Sequence, residues 1–362
     1  MLRPNRRPGA LDAVVVGAGV TGCSCAHTLA ARGLRVRVHD AREIAGGASG
    51  RNGGFALRGA AVAYDHARVS LGAERAAQLW QLSEDALERL AGLAGDAFRR
   101  VGSLRLAADG PEWDALAREQ EALHDDGFKA GTRAALRAPL DRLYRGAVLN
   151  PTDGAIDPVR WVRRLAQHAV DAGAEIVEHS RIDPGELDVI ATAVVIAVDG
   201  LTSALLPELE PFVRPVRGQM LATEPLPELP YACPHYARHG YDYWQQLPDG
   251  RLVLGGRRDV SFESEQTDAE ETTPLVQGSL DHLVADLTGL QPRITHRWAG
   301  IWGETPDGLP LVGKVPGRDH VWVAGGYTGH GNVLGLACGE LVARAILGER
   351  PAELSLFDPA RF

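Results

Sequence analysis

The sequence is poor in cysteine, and its few cysteines form no recognisable pattern. Four occur among 362 residues, at Cys23, Cys25, Cys233 and Cys338, and none belongs to a CxxC pair. This spacing excludes a disulfide framework. Cys23 and Cys25 are two apart on a predicted helix and therefore face different directions, which makes them poor joint ligands of a metal. We predict that both pack against a sheet and that the chain holds no metal.

Long hydrophobic runs are also absent. The longest strongly apolar stretch, Ala193 to Val198, is far shorter than the roughly 20 residues that a membrane-spanning helix needs. Residues 1–11 contain arginines but no apolar segment of the kind found in a signal peptide. We therefore predict a cytoplasmic protein with no integral membrane segment.

The chain has no excess of basic charge. Its formal net charge is −9, which argues against nucleic acid as a main partner, because phosphate backbones require a basic face. A hydrophobic content of 45% predicts a sizeable core. The length allows two domains, or one domain with a large insert.

Glycine, in contrast, is abundant, and one glycine motif near the start of the sequence is informative. The apolar run Ala13–Val16 predicts a strand buried on both faces, and a GxGxxG turn follows it directly. In such a turn Gly17 makes the tight bend, Gly19 lets the backbone approach a pyrophosphate, and Gly22 lets the next helix pack close to the strand. The motif predicts a dinucleotide site.

The residues after the motif complete this pattern. A helix with an apolar face is expected to end near Gly33, and the alternation around Val36 and Val38 predicts a second strand. Asp40 follows that strand, where a ribose-binding acid belongs in a dinucleotide fold. NAD and FAD both carry a pyrophosphate, so these features leave the choice between them open.

Two further glycine-rich stretches favour a flavin. Residues 47–54 follow the second strand and offer the hydroxyl of Ser49, the guanidinium of Arg51 and the amide of Asn52. Residues 325–332 lead into a predicted helix, whose N-terminus would stabilise negative charge on a reduced flavin. His330, in that turn, could tune the flavin, contact substrate, or only satisfy a backbone carbonyl.

The rest of the chain alternates helices with one clear hairpin. Residues 241–257 contain Pro248-Asp-Gly between two strand-like runs, which predicts a β-hairpin within an antiparallel sheet. Asp157 and Pro158 predict the start of a helix. Further helices are predicted over 73–94, 112–126, 274–287 and 333–347.

Several of these motifs together resemble the D-amino-acid oxidase (DAO) superfamily of flavoproteins, and most of all its branch of gamma-glutamylputrescine oxidoreductases. The stretches that carry the resemblance are GAGVTG at 17–22, Asp40, GASGRNGG at 47–54, RPVRGQM at 214–220, the hairpin turn at 248–250, RWAG at 297–300, TPDGLP at 305–310 and GHG at 329–331.

The resemblance implies an α/β fold with two domains. One is a Rossmann-like FAD-binding domain of the glutathione-reductase-like type, predicted over 1–72, 150–211 and 300–362. The other is an α+β substrate domain with an antiparallel sheet, predicted over 73–149 and 212–299. The implied reaction oxidises a C–N bond of an amine or amino acid by hydride transfer to flavin N5. The imine is then hydrolysed, and oxygen or another acceptor takes the electrons.

The resemblance also implies which residues contact FAD. By position these are Gly17, Gly19, Val20, Thr21, Gly22, Asp40, Ala41, Ala48, Ser49, Arg51, Asn52, Gly53, Ile182, Ala197, Gly200, Gly329, His330, Gly331, Asn332 and Val333.

Three departures from the family pattern change what is expected. Relatives have a three-stranded meander before the strand at Val194, which the short segment 179–193 leaves little room for. The cysteine that binds flavin covalently in sarcosine oxidases has no counterpart in residues 300–304, so FAD is expected to be non-covalent. The lysine that assists oxygen in those enzymes is replaced by Val253, which leaves a dehydrogenase open.

Substrate-contacting residues are expected on the hairpin. Tyr241 and Tyr243 are predicted to share one strand face, and Arg257 is predicted to hold a substrate carboxylate. Arg58 is a further candidate. The catalytic candidates are therefore His330, Tyr243 and Arg257. Two alternatives stay open, namely a flavin-binding subunit that needs a partner for turnover and an NAD-dependent dehydrogenase.

Overall fold

The computed structural model describes residues 11–227 and 233–362. The sequence region on which the signal-peptide prediction depends, residues 1–10, lies outside the described residues. The described strands are β1 (Ala13–Val16), β2 (Val36–His39), β3 (Phe55–Ala56), β4 (Phe98–Arg99), β5 (Ser103–Ala107), β6 (Thr132–Ala134), β7 (Gly146–Asn150), β8 (Gly154–Ile156), β9 (Glu175–Val177), β10 (Ala193–Ile196), β11 (Arg214–Pro225), β12 (His235–Ala237), β13 (Asp242–Gln246), β14 (Arg251–Gly256), β15 (Ile294–Glu304), β16 (Leu311–Lys314) and β17 (Val321–Gly325).

The helices follow the predicted pattern closely. They are α1 (Val20–Ala30), α2 (Ala48–Arg51), α3 (Tyr64–Leu71), α4 (Ala73–Ala94), α5 (Gly110–Asp125), α6 (Leu140–Leu143), α7 (Pro158–Asp171), α8 (Thr202–Leu205), α9 (Pro274–Thr288) and α10 (Gly331–Ile346). The N-cap prediction at α7 is confirmed, because the Asp157 carboxylate accepts a hydrogen bond from the Arg160 N–H at 3.1 Å. Cys23 and Cys25 are fully buried, as predicted.

A six-stranded sheet carries the glycine motif. Its order is β16-β17-β10-β1-β2-β9, and its strands are parallel except for β16. Val15 packs in a core with α1, α7 and α10, whereas Val14 packs on the other face against residues of the segment 182–213. The sheet is therefore buried on both sides, as the apolar run of β1 predicts.

The predicted shortening of the meander is confirmed. Between β9 and β10, residues 178–192 form only a short 3-10 turn at Pro184–Glu186 and no strand. Ile182 lies in this connection and is buried in the core on the second face of the sheet.

A second sheet has eight strands in the order β15-β11-β14-β13-β12-β5-β7-β6. Its pairs are antiparallel except for β12 with β5. The predicted hairpin is confirmed as β13 and β14. One face, with Leu221 and Leu254, packs on α9. The opposite face carries a row of cross-strand partners, Met220, Gly255, Tyr243, Tyr236 and Arg105. Together the two sheets confirm the predicted α/β class.

Helix α4 links the two parts of the molecule. The predicted division places it in the substrate domain, yet Leu79, Leu87 and Leu90 belong to the same core as α1 and α10. The domain boundaries stay a prediction.

Within 11–227 and 233–362, the structure has no helix that is both long and apolar enough to cross a membrane.

Candidate active site

Two helices from opposite ends of the chain pack together at the centre of the site. The Thr21 hydroxyl lies 2.8 Å from the Tyr327 hydroxyl, and the Ser24 hydroxyl donates to the Leu336 carbonyl at 2.7 Å. Gly339 makes the approach possible, since a Cβ there would lie 2.4 Å from the Thr21 carbonyl oxygen. As a result, α1 and α10 both begin at one cleft, which therefore lies at the positive end of both helix dipoles.

Replacing Gly339 with valine is expected to destabilise this contact. The added side chain would have to displace α1 backbone, and overpacking of this kind costs about 1–3 kcal/mol. We expect the free energy of unfolding in urea to fall by that amount and bound FAD to be lost. Gly92→Val is the matched control, because a Cβ at Gly92 meets nothing within 4 Å. Equal effects of the two substitutions would contradict the role given to Gly339.

The dinucleotide motif has the geometry that its sequence predicts. Gly17 has a φ of +109°, and a Cβ on Gly22 would lie 1.8 Å from the Gly17 carbonyl oxygen. Asp40 lies at the carboxyl end of β2, where its two oxygens accept the N–H groups of Ala18 and Arg42 at 2.7 and 2.8 Å. A carboxylate has lone pairs to spare, so a ribose hydroxyl can still donate to it.

The stretch 47–54 is tied to both helices. Ser49 Oγ accepts the Val20 N–H at 3.1 Å, at the start of α1. The amides of Asn52 and Asn332 form a reciprocal pair at 3.2 and 3.1 Å, at the start of α10. Arg51 Nη1 lies 2.8 Å from the Glu270 carboxylate, which Arg42 also contacts at 2.8 Å. The loop therefore connects the two helix N-termini across the cleft.

Asp199 holds the glycine-rich turn before α10. Its buried carboxylate accepts backbone N–H groups from Gly303, Gly326 and Tyr327 at 3.0, 2.8 and 3.3 Å. Burial raises the pKa of this carboxyl group, and the backbone donors oppose that shift. Asp199 is not among the residues predicted from the sequence. Its position directly after buried β10, at the carboxyl edge of a parallel sheet, was the available signal.

The cleft contains about 1370 Å³ of space, its open mouth included. Of the predicted cofactor residues, those that line it are Gly19, Thr21, Ala48, Ser49, Arg51, Asn52, Gly53, Ala197, Gly329, His330, Gly331, Asn332 and Val333. Those that do not line it are Gly17, Val20, Gly22, Asp40, Ala41, Ile182 and Gly200. The lining residues extend from one helix N-terminus to the other. A glycine cradle and two helix N-termini fit a dinucleotide with a pyrophosphate and an electron-rich ring.

Uncharged aromatic side chains line the cleft where it meets the eight-stranded sheet. Tyr243 and Tyr236 are cross-strand neighbours that both line it. Burial raises the pKa of Tyr243 to about 12, so its phenol stays protonated at neutral pH. His330 precedes α10, and burial lowers its pKa to about 4, with the Arg105 charge acting in the same direction. His330 is therefore uncharged at neutral pH and has no proton to give as an imidazolium.

The depressed pKa of His330 predicts a pH dependence of stability. An unfolded histidine titrates near 6.5, so acid protonates the unfolded chain first. The contribution is complete above pH 6.5 and is lost as the pH falls toward 4, by about 1–3 kcal/mol. We expect His330→Gln to lose less stability than the wild type between pH 7 and 4.5 in urea titrations. Identical pH slopes would show that His330 is not buried in its neutral form.

The arginine predicted to bind substrate is not the one in the cleft. Arg257 adopts a φ of +59°, and its Nε lies 2.7 Å from the buried Asp242 carboxylate. Arg258 lines the cleft instead, with its guanidinium 4.4 Å from the centroid of the Tyr241 ring and 5.4 Å from that of Trp302. The prediction that Tyr241 shares a strand with Tyr243 is wrong, because β13 begins at Asp242.

Arg258 is an uncompensated cation. Within residues 11–227 and 233–362 it has no ion-pair partner, and its Nε is buried without a hydrogen bond. Arg58, the weaker candidate, is buried beside the cleft and pairs with Asp153 at 3.1 Å and Glu84 at 2.7 Å. No lysine or cysteine occurs among the described residues that line the cleft.

Comparisons with known proteins agree with this geometry. A sequence model of the family described as "DAO: FAD dependent oxidoreductase" matches residues 12–345. The chain is 26% identical to probable oxidoreductase OrdL of Haemophilus influenzae, over 96% of this chain and 85% of that protein. It is 28% identical to gamma-glutamylputrescine oxidoreductase of Escherichia coli, over 93% and 84%. The crystal structure of glycine oxidase from Geobacillus kaustophilus has a TM-score of 0.80 with 23% identity, and covers 98% of this chain and 99% of that one.

The family description names FAD, and so it decides between the two dinucleotides that the glycine motif alone leaves open. The NAD-dependent alternative is thereby set aside. Since the match extends over most of the sequence, the chain belongs to the DAO family of FAD-dependent oxidoreductases.

Proposed function

We propose that the protein oxidises a carbon–nitrogen bond of a small amine or amino acid. The substrate carbon loses one hydrogen with two electrons and the nitrogen loses one proton, which gives an imine. Water then hydrolyses the imine to a carbonyl compound and an amine or ammonia. FAD, when bound, supplies the acceptor of the two electrons. The glycine oxidase and gamma-glutamylputrescine oxidoreductase relatives, by their names, act on compounds of this class.

The observation that carries this proposal is the guanidinium of Arg258, which lines the cleft and has no acid partner among the described residues. Arg51, the other arginine of the cleft lining, is paired with Glu270. A guanidinium binds a carboxylate through two parallel hydrogen bonds, which fixes both the position and the orientation of a substrate. Its site between the Tyr241 and Trp302 rings also holds the arginine itself in place. We therefore expect an α-amino acid or N-substituted glycine to bind with its carboxylate on Arg258.

The remaining residues position the substrate rather than exchange protons with it. The Tyr243 phenol keeps its proton at neutral pH, and a pKa of about 4 makes the His330 imidazole a weak base, so neither readily takes a proton from an ammonium. The amine is expected to react in its neutral form, and the rate should rise with pH as the substrate amine loses its proton. Orientation against the electron acceptor is then the main contribution of the chain.

An anaerobic flavin-reduction screen tests the proposal. Purified holoprotein is mixed without oxygen with amino acids of both configurations, N-alkylglycines, polyamines and acylated polyamines, and the flavin absorbance is followed. Bleaching by an amine with an α-carboxylate is the expected result. Failure of every compound, including after addition of cell extract, would overturn the proposal. Bleaching that needs the extract would support the flavin-subunit alternative, and admission of oxygen to bleached protein distinguishes an oxidase from a dehydrogenase.

A further inference from the structure

A second cavity adjoins the cleft. It contains about 1270 Å³ of space, its opening included, between α5, the segment 57–66 and the eight-stranded sheet. Leu57, Tyr236, His239 and His330 line both cavities. The two spaces therefore meet at Tyr236 and His330, where the cleft meets the eight-stranded sheet.

One face of the sheet forms the floor of both spaces. Tyr243 pairs with Tyr236, and Tyr236 pairs with Arg105 on the next strand, so all three side chains lie on the same face. Asn150 pairs with Ser103 two residues from Arg105, and diagonal partners of this kind are about 7–8 Å apart. A molecule that lies along this face can reach Arg105 and Asn150 from the cleft.

Arg105 offers hydrogen-bond donors to this second cavity. Its Nη1 donates to the Glu119 carboxylate, while its other guanidinium N–H groups have no partner among the described residues. Its side chain is 30% exposed even though it lies on the floor of the cavity. The guanidinium is 6.0 Å from the centroid of the Tyr236 ring, at the junction with the cleft.

Asn150 is a buried amide with no partner. The residue is only 6% exposed, it lines the second cavity, and its side chain makes no hydrogen bond within the part of the chain that the structure describes. Buried amides are normally hydrogen-bonded, so this amide in the cavity wall is free to bind a ligand. Gln120 adds a free amide NH₂ group, because only its side-chain oxygen takes part in a hydrogen bond, which it accepts from the Gly131 N–H.

The acids of the second cavity are largely satisfied. Glu112 accepts the N–H groups of Ala108 and His239 at 2.7 and 2.8 Å. Asp153 accepts from Arg58 and from the Ser103 hydroxyl. The exception is Asp65, one of whose carboxylate oxygens is buried without a partner. Arg105 and Gln120 keep N–H groups that no described residue engages, and such donors suit an anion.

We propose that the second cavity binds the tail of the substrate and that this tail ends in a carboxylate, held by Arg105 with Asn150. The proposal rests on the proposed function, since the cleft must accept the amine. It narrows the substrate to an amine with two acidic groups: one near the oxidised carbon, on Arg258, and one several bonds away, on Arg105.

A series of N-alkylglycines with tails of equal length tests the proposal. The tails end in a carboxylate, a carboxamide or an ammonium, and the rate constant and apparent dissociation constant for anaerobic flavin reduction are measured for each. We expect the carboxylate tail to be preferred about 10- to 100-fold, mainly through the dissociation constant. Arg105→Met should abolish this preference, and Asn150→Ala should reduce it about tenfold. A preference for the ammonium tail, or an unchanged preference in Arg105→Met, would overturn the proposal.

Two controls keep this test decisive. Arg133→Met removes an exposed arginine of the same sheet that lines neither cavity, and should leave the tail preference unchanged. Arg105→Met leaves Glu119 buried without its cation, so the double variant Arg105→Met/Glu119→Gln repeats the test without an unpaired buried acid.

Calorimetric binding of glutarate to the holoprotein gives a readout without turnover. Glutarate binding that needs Arg105 supports the tail site even if no amine bleaches the flavin, and its absence in the wild type contradicts the site.

Discussion

Replacement of Arg258 with methionine is expected to lower the efficiency of flavin reduction by amino acids about 100-fold, or roughly 2.7 kcal/mol. The wild-type guanidinium has no acid partner among the described residues and can give two charge-assisted hydrogen bonds to a carboxylate. Methionine keeps much of the packing between Tyr241 and Trp302 but cannot donate. Stopped-flow measurement of the rate constant and dissociation constant for anaerobic reduction provides the test.

The same variant supplies its own control through the choice of substrate. An amine without a carboxylate makes no bond to Arg258, so its reduction kinetics should change less than about threefold. Arg258→Lys should recover part of the loss, since a lysine keeps the charge but not the planar pair of donors. If Arg258→Met affected both kinds of amine equally, the arginine would serve the cofactor or the fold instead of the substrate.

Asp199→Ala is expected to have the largest effect on cofactor binding. It removes one buried carboxylate and leaves the N–H groups of Gly303, Gly326 and Tyr327 without their acceptor. Each orphaned buried donor costs about 1–3 kcal/mol, part of which water recovers. We expect a loss of about 3 kcal/mol in the free energy of unfolding and at least a 100-fold weaker affinity for FAD, measured by urea titration and flavin fluorescence.

Asp157→Ala is the matched control for this substitution. That carboxylate also accepts a backbone N–H, but at the exposed start of α7 and away from the cleft. Its loss should cost about 1 kcal/mol and leave FAD affinity unchanged. Asp199→Asn preserves the shape and one acceptor oxygen, so it should lie between the wild type and the alanine variant. Normal FAD affinity in Asp199→Ala would show that the turn before α10 holds its form without this carboxylate.

Local sequence predicts the geometry of the glycine motif well. Gly17, Gly22 and Asp40 owe their positions to contacts within one strand-turn-helix-strand unit, in which spacing along the chain determines spacing in the fold. The helices at 73–94 and 274–288 likewise follow from hydrophobic periodicity and N-terminal proline or C-terminal glycine signals. Such features depend on neighbours that lie a few residues apart.

The residues proposed to bind substrate depend on contacts between distant segments, which local patterns do not contain. The position of Arg257 at the end of the second hairpin strand predicted a contact with substrate. The chain leaves β14 with a positive φ at Arg257, however, and Arg258 lines the cleft instead. Asp199 and Arg105 gain their roles from backbone groups and strands that are far away in sequence. A shift of one residue at the end of a strand moves a side chain from one face of the sheet to the other.

The pairing of α1 with α10 has a consequence for how the protein matures. The hydrogen bond between Thr21 and Tyr327 joins residues 306 positions apart, so α1 finds its partner only after α10 has been synthesised. Contacts of such separation form late, because the intervening loop must first be ordered. The cleft between α1 and α10 is therefore completed only after residue 346 has been made, and a chain interrupted before residue 331 lacks one of its two helix N-termini.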